Sequence, residues 1–191
     1  MEQSSRFDLL NKAGIYEKYH DATLDKFDGS KKAVKVIRSY MEATDGKGLY
    51  LEGTNGIGKS YLVCAAFAEL IGRGLQVFRV HAQTAHQWYL DKNREKMKLV
   101  SGSYFLCIDD FGKDHFDSPA AAALSAKVWD GILRYRVERN RPTWFTSNIK
   151  FEKIESMYGR SLASLMMEAV DVLPVDGKED RRGRAFKIYE T

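Results

Sequence analysis

The stretch Gly53-Thr54-Asn55-Gly56-Ile57-Gly58-Lys59-Ser60 decides the fold of this chain. It fits the pattern G-x-x-x-x-G-K-[ST], in which glycines let the backbone turn its N–H groups toward phosphate oxygens. An apolar strand is predicted before it at 48–53, and a helix is predicted after it at 59–71. Because the N-terminus of that helix adds partial positive charge at the same point, the sequence predicts a loop that grips the phosphates of a nucleotide.

Each residue type in this loop has a chemical reason. Lys59 is expected to reach the β- and γ-phosphates of ATP, and Ser60 to place its hydroxyl on Mg²⁺. We expect Lys59 to be an exposed phosphate ligand rather than a packing residue. The predicted nucleotide-binding residues are Gly53, Thr54, Asn55, Gly56, Ile57, Gly58, Lys59, Ser60 and Tyr61.

Two carboxylates follow the apolar run 104–108, which has the pattern of a strand covered on both faces. Asp109 fits the carboxylate associated with Mg²⁺, and Asp110 fits the group that orients or deprotonates an attacking water. A later strand at 142–146 leads to Asn148, which can bond the water or the γ-phosphate. The alternative at both places is an ordinary polar turn.

Short apolar runs alternate with amphipathic stretches along the whole chain. This alternation predicts parallel crossovers and a doubly wound α/β sheet, whose ligands bind at the carboxyl ends of the strands. The other predicted elements are a strand at 75–80, helices at 83–98, 118–139, 150–157 and 160–169, and strands at 171–175 and 185–189.

Bulk composition narrows the class of protein. The 191 residues are 44% hydrophobic, which suits one globular domain, and no apolar run approaches the ~20 residues of a membrane helix. The N-terminus lacks the apolar core of a secretion signal, so we expect a cytoplasmic protein without a membrane partner. Cys64 and Cys107 lie in apolar runs and are expected to be buried, reduced thiols. No zinc site is expected.

A basic stretch lies between the second and third predicted strands. Its alternate cations stand beside two aromatic rings, which suits single-stranded nucleic acid because charge follows the backbone and rings stack on bases. The alternative is a solvated amphipathic helix with its tryptophan in the core. On one straight helix, cations two residues apart would spread around the cylinder and contact few phosphates. The predicted DNA-binding residues are Trp88, Lys92, Arg94, Lys96 and Lys98.

The phosphate loop, the two carboxylates and Thr146-Ser147-Asn148 together resemble the AAA+ ATPases of the DnaC/IstB family, which are helicase loaders and transposition helper proteins. The segment 14–27 is similar to the family's lead-in before the P-loop strand. Arg134-Tyr135, followed by the strand at 142–146, resembles its "RY…PT…TSN" run. The resemblance covers roughly residues 13–190, which divides the chain into a tail, 1–12, and an AAA+ domain, 13–191.

The resemblance implies a P-loop NTPase fold without a recognisable C-terminal lid domain. It also implies ATP and Mg²⁺ as cofactors, assembly of subunits on ATP binding, and loading of a replicative helicase on single-stranded DNA. A transposition helper that acts with a transposase is the near alternative. Asn148 is implied as the sensor-1 residue, and Arg182 as the sensor-2 arginine.

Three departures from the family pattern shape these expectations. Asp110 stands where the family has glutamate, which predicts slow hydrolysis. Leu165 stands at the arginine-finger position, with Arg160 as a substitute more than one turn earlier. The separate N-terminal domain of the loaders is expected to be absent or to be supplied by another chain. A nucleotide-gated DNA-binding module with little hydrolysis therefore stays open, as does a P-loop kinase for a small molecule.

Overall fold

The structure, a computed structural model, describes residues 5–43, 45–113 and 118–176. Five strands alternate with eight α-helices in these ranges. The elements are α1 Arg6–Lys12, α2 Lys31–Glu42, β1 Gly48–Glu52, α3 Lys59–Gly72, β2 Val77–His81, α4 Ala82–Leu90, α5 Arg94–Gly102, β3 Phe105–Asp109, α6 Pro119–Val137, β4 Thr143–Ser147, α7 Ile154–Tyr158, α8 Arg160–Ala169 and β5 Val170–Pro174, with short 3₁₀ turns at Glu17–Tyr19 and Phe151–Lys153.

The strands form one parallel sheet in the order β2-β3-β4-β1-β5. This confirms the predicted doubly wound α/β architecture. Because all strands run the same way, the carboxyl ends of β1, β3 and β4 meet at one edge. Among the described residues, no separate lid domain follows β5.

Two apolar cores cover the two faces of the sheet. On one face, Phe67 of α3 packs against Trp144 of β4 with ring centroids 5.6 Å apart, in a cluster that also takes residues from α1 and α2. On the other face, Phe111 lies 5.5 Å from Trp129 of α6, in a cluster shared with α4 and α8. Both β3 and β4 are therefore buried at every position, and this explains the continuous apolar run Phe105–Ile108 of β3.

The single helix predicted at 83–98 is wrong, since the chain forms α4 and α5 with a break between them. Lys92 adopts the left-handed conformation, with φ of 52°. The Asn93 side chain then accepts a hydrogen bond from the N–H of Lys96 at 3.1 Å and caps α5. The sequence Asp91-Lys92-Asn93 therefore ends one helix and begins the next. The prediction of a single helix overlooked this break.

Several smaller expectations can be compared with the structure. Cys64 and Cys107 are both buried free thiols, as predicted. The predicted strand at 185–189 lies outside the described residues. No helix among the described residues is long and apolar enough to cross a membrane.

Candidate nucleotide-binding site

The loop between β1 and α3 needs glycine at its turning points. Gly56 and Gly58 have φ of 79° and 99°, in the left-handed region that side chains disfavour. At Gly53, an added Cβ would lie 2.4 Å from a methyl carbon of Ile57 and 2.6 Å from the carbonyl oxygen of Val175. Glycine at these positions therefore allows the tight turn that sets the backbone N–H groups before the N-terminus of α3.

Lys59 is buried in this loop rather than exposed, so that expectation is wrong. The residue is only 6% exposed. Its ammonium donates to the carbonyl oxygens of Gly53 and Thr54 and to Oδ1 of Asn148, each at 2.8 Å. Phosphate oxygens must therefore compete with these acceptors for the ammonium.

Ser60 and Asp109 meet at the same edge of the sheet, as the Mg²⁺ prediction requires. The Ser60 hydroxyl donates to Oδ1 of Asp109 at 3.0 Å, and the Thr146 hydroxyl donates to the same oxygen. A hydroxyl and one carboxylate beside a phosphate loop fit Mg²⁺, which protein sites hold through few side chains plus substrate phosphates. The described ranges contain no cluster of three or more His, Cys, Asp or Glu side chains that suits a metal ion.

Asp109 is held by a partner that the sequence reasoning missed, Arg79 on the neighbouring strand β2. The two side chains form an ion pair and are 1% and 3% exposed. Burial alone raises the pKa of Asp109, but the Arg79 guanidinium and the hydrogen bonds from Thr146 and Ser60 lower it overall. Asp109 is therefore ionised at neutral pH, as a metal-associated carboxylate must be.

Asp110 stands in an unusual backbone conformation beside this pair. Its φ is 57°, a left-handed value that aspartate tolerates better than most residues, and its N–H donates to the Thr146 hydroxyl at 3.0 Å. Its carboxylate pairs with Lys113 at 3.1 Å. Asp110 and Asp109 thus differ in their cationic partners, Lys113 and Arg79, although both carboxylates lie within 4 Å of Nδ1 of His81.

Asn148 connects the end of β4 to the phosphate loop. In addition to accepting from Lys59, it donates from Nδ2 to Oδ1 of Asn55 at 2.7 Å. The structure therefore brings Asn148 into direct contact with the loop that the sequence predicted it would serve. This geometry is compatible with the sensor role, which remains a prediction.

A cavity of about 200 Å³ opens between these groups. Tyr61, predicted at the site, lines it, and its hydroxyl donates to the carbonyl oxygen of Thr23 at 3.2 Å. Tyr19 also lines the cavity, with its ring 6.4 Å from that of Tyr61, and was missed by the sequence reasoning. The lining residues are Tyr19, Asn55, Gly56, Gly58, Lys59, Ser60, Tyr61, Asp110 and Asn148.

The predicted arginines have different outcomes. Arg160 is the exposed first residue of α8 and does not line the cavity. Leu165, at the arginine-finger position, is 7% exposed and packs in the core shared with α6. Arg182 lies outside the described residues. The structure thus brings neither Arg160 nor Leu165 to the phosphate loop of the same chain.

The basic stretch divides between the α4–α5 break and the exposed side of α5. Lys92, Arg94, Lys96 and Lys98 are all exposed. Trp88 is half-buried and stacks on Phe78 at 6.4 Å, whereas the neighbouring Tyr89 is 46% exposed. The ring available for stacking is therefore Tyr89, which lines a groove of about 680 Å³ together with Lys92, Arg94 and Tyr135.

The five-stranded parallel sheet has the same overall fold as several solved structures. The solved structure of DnaI matches it with a TM-score of 0.75 and 24% identity, over 88% of this chain and 94% of that one. The DnaC helicase loader matches with a TM-score of 0.72 and 21% identity, over 84% and 100%. The predicted resemblance to DnaC-like AAA+ proteins is thereby confirmed for the fold.

The chain is also similar in sequence to the replicative helicase loader DnaI of Bacillus subtilis, with 27% identity over 124 residues. That match takes in 62% of this chain and spans 39% of the relative's length. A structure of the replication initiator DnaA bound to AMPPCP and single-stranded DNA matches with a TM-score of 0.68 and 19% identity, over 87% of this chain and 52% of that one. No protein-family profile matches the chain.

Proposed function

We propose that this chain is an ATP-binding AAA+ protein that assists the loading of a replicative helicase onto single-stranded DNA, and that it hydrolyses ATP slowly. The observation that carries the proposal is the meeting of three strand ends at one point. Lys59 contacts Asn148 at 2.8 Å, and Ser60 contacts Asp109 at 3.0 Å. The sequence similarity to the helicase loader DnaI supports the choice of process.

Binding of ATP follows from the groups that line the cavity. The backbone N–H groups of the loop and the ammonium of Lys59 hold the phosphates. Ser60 and Asp109 would hold Mg²⁺, which neutralises charge on the phosphates during transfer. Asp110 orients the attacking water. Asn148 can accept a hydrogen bond from the water through Oδ1, in place of Lys59, or donate one to the γ-phosphate through Nδ2, in place of Asn55. Nucleotide state is then read at the end of β4.

Contact with DNA is assigned to the groove between the α4–α5 break and α6. Lys92 and Arg94 supply charge for the backbone, and the exposed ring of Tyr89 supplies a stacking surface. Two or three phosphates per subunit give modest affinity with a shallow salt dependence. Subunits that assemble on ATP would align several grooves along one strand and raise the avidity.

Two measurements test this function. The first is fluorescence anisotropy of a labelled oligonucleotide, with and without a slowly hydrolysed ATP analogue, using wild type and a Lys92/Arg94/Lys96 triple alanine variant. We expect tighter binding with nucleotide and a loss in the variant. The second is nucleotide-dependent capture of a purified replicative helicase and, in a parallel reaction, of a purified transposase. Capture of the transposase instead of the helicase would favour a transposition helper. Failure to bind the helicase, the transposase and DNA would refute the proposal.

A second candidate is a nucleotide-gated DNA-binding module with little hydrolysis. Two observations favour it: the Asp110 carboxylate is paired with Lys113 at 3.1 Å, and Leu165 is buried where a finger arginine is expected. The discriminating measurement is steady-state phosphate release with saturating single-stranded DNA and helicase. DNA binding that depends on nucleotide, with no phosphate release above a Lys59→Ala background, would favour the gated module.

A further inference from the structure

The ion pair between Arg79 and Asp109 is buried beneath the phosphate loop. The two side chains are 3% and 1% exposed, so both charges have lost their contact with water. A buried ion pair is weak evidence for stability, because desolvation of the two ions offsets their attraction. Its presence at the carboxylate assigned to Mg²⁺ therefore calls for a functional explanation.

Arg79 and two hydroxyls divide the oxygens of this carboxylate between them. The guanidinium takes Oδ2, whereas the hydroxyls of Ser60 and Thr146 donate to Oδ1. With both oxygens engaged from opposite sides, the carboxylate has one orientation. Oδ1 is therefore the oxygen that Asp109 presents to the hydroxyl at the start of α3.

The guanidinium is itself fixed from the other side. Its Nη1 donates to the carbonyl oxygen of Gly14 at 3.1 Å, and the ring of Tyr16 lies 4.7 Å from its central carbon. The backbone N–H of Arg79 also donates to the carbonyl oxygen of Ala13 at 2.8 Å. The segment before α2 thus clamps the arginine that clamps the carboxylate.

We propose that Arg79 is a positioning residue for the metal site: it holds Oδ2 of Asp109 and thereby directs Oδ1 to Ser60. This inference rests on the proposed function, since it takes Ser60 and Asp109 to hold Mg²⁺ beside bound nucleotide. Mutation of a group that orients a metal-binding side chain typically lowers metal affinity by about 10- to 100-fold. Arg79 is expected to act in that range without touching metal or nucleotide.

Arg79→Lys is the direct test. Lysine keeps the positive charge, but its single ammonium lacks the planar fork that joins Gly14 and Asp109. Binding of a fluorescent ATP analogue is measured in EDTA and then across a Mg²⁺ titration. We expect affinity in EDTA to stay within about twofold of wild type. The Mg²⁺ concentration for half-maximal enhancement should rise about 10- to 100-fold.

Arg136→Lys is the matched control, because Arg136 is also fully buried and donates to backbone carbonyls near the end of α5 and just before β4. It should lower the melting temperature and leave the Mg²⁺ dependence unchanged. Melting curves check that both variants fold. Arg79→Gln, which is neutral and still donates N–H, is the second variant should the lysine variant not fold.

The outcomes separate the inference from the function on which it rests. An unchanged Mg²⁺ dependence in the folded Arg79 variants would overturn the positioning role. A parallel loss of affinity in EDTA would also overturn it, because Arg79 would then support the loop as a whole. Wild-type protein that binds no nucleotide would instead defeat the proposed function.

Discussion

Replacement of Lys59 by alanine tests the phosphate site and has a magnitude that the structure sets. The ammonium makes three hydrogen bonds at 2.8 Å, to Gly53, Thr54 and Asn148, and some of these are exchanged for bonds to phosphate. A hydrogen bond to a charged group contributes about 1.5–3 kcal/mol net. Loss of two such bonds weakens ATP binding by roughly 3–6 kcal/mol, or about 10²- to 10⁴-fold.

The same substitution should also lower stability, because Lys59 is only 6% exposed and its acceptors lose their donor. The expected cost is about 1–3 kcal/mol, and each kcal/mol lowers the melting temperature by about 2–4 °C at this chain length. Calorimetric titration with ATP and a melting curve without nucleotide measure the two effects. Lys47→Ala is the control, because Lys47 is a half-buried lysine before β1 that pairs with Asp171 and does not line the cavity. An ATP affinity within tenfold of wild type would refute the site assignment.

Three other predictions concern turnover, thiol reactivity and stability. Asp110→Asn should lower kcat about 10²-fold or more and leave ATP affinity nearly unchanged, because a water-orienting group acts in the transition state; equal losses in a phosphate-release assay and in ATP titration would contradict this. Burial raises the pKa of Cys64 to about 12 and that of Cys107 well above its usual range. Neither thiol should therefore react with a thiol reagent at pH 8 until urea unfolds the chain. Rapid labelling of the native protein would contradict the burial of these thiols. Arg136→Met should lower the free energy of unfolding, measured by urea titration, by at least about 3 kcal/mol, because several buried carbonyl groups lose a donor at ~1–3 kcal/mol each. Arg139→Met, at an exposed arginine, is the control and should change it by less than about 0.5 kcal/mol.

The sheet could be predicted because its signals are local. Runs such as 104–108 are apolar on both faces, and the loop 53–60 defines which strand precedes which helix. The location of the site follows from the same signals, since polar residues that follow buried parallel strands lie at one edge of the sheet. The sequence therefore predicts that Asp109, Asn148 and Ser60 lie close together.

The break between α4 and α5 was missed because two local signals compete there. The basic run was interpreted as the continuation of one amphipathic helix, whereas Asn93 stabilises a new helix start by capping the N–H of Lys96. The two aromatic residues of α4 also differ in their surroundings. Adjacent side chains on a helix point in different directions, so Trp88 stacks on Phe78 and Tyr89 is exposed to solvent. Only the packing decides which ring is which.

The buried arginines could not have been inferred from local patterns, because an arginine in isolation is read as a surface residue. Arg79 gains its partner from the parallel pairing of β2 with β3, in which His81 lies opposite Asp109 and the carboxylate comes within reach of a guanidinium two residues earlier. Arg136, and not the neighbouring Arg134 of the "RY" resemblance, lies within the core, whereas Arg134 pairs with Asp130 at the surface. Arg79 thus orders residues at the carboxyl ends of the strands, and Arg136 orders residues at the opposite ends. A substitution at either is therefore expected to have separable effects, on metal affinity at Arg79 and on stability alone at Arg136.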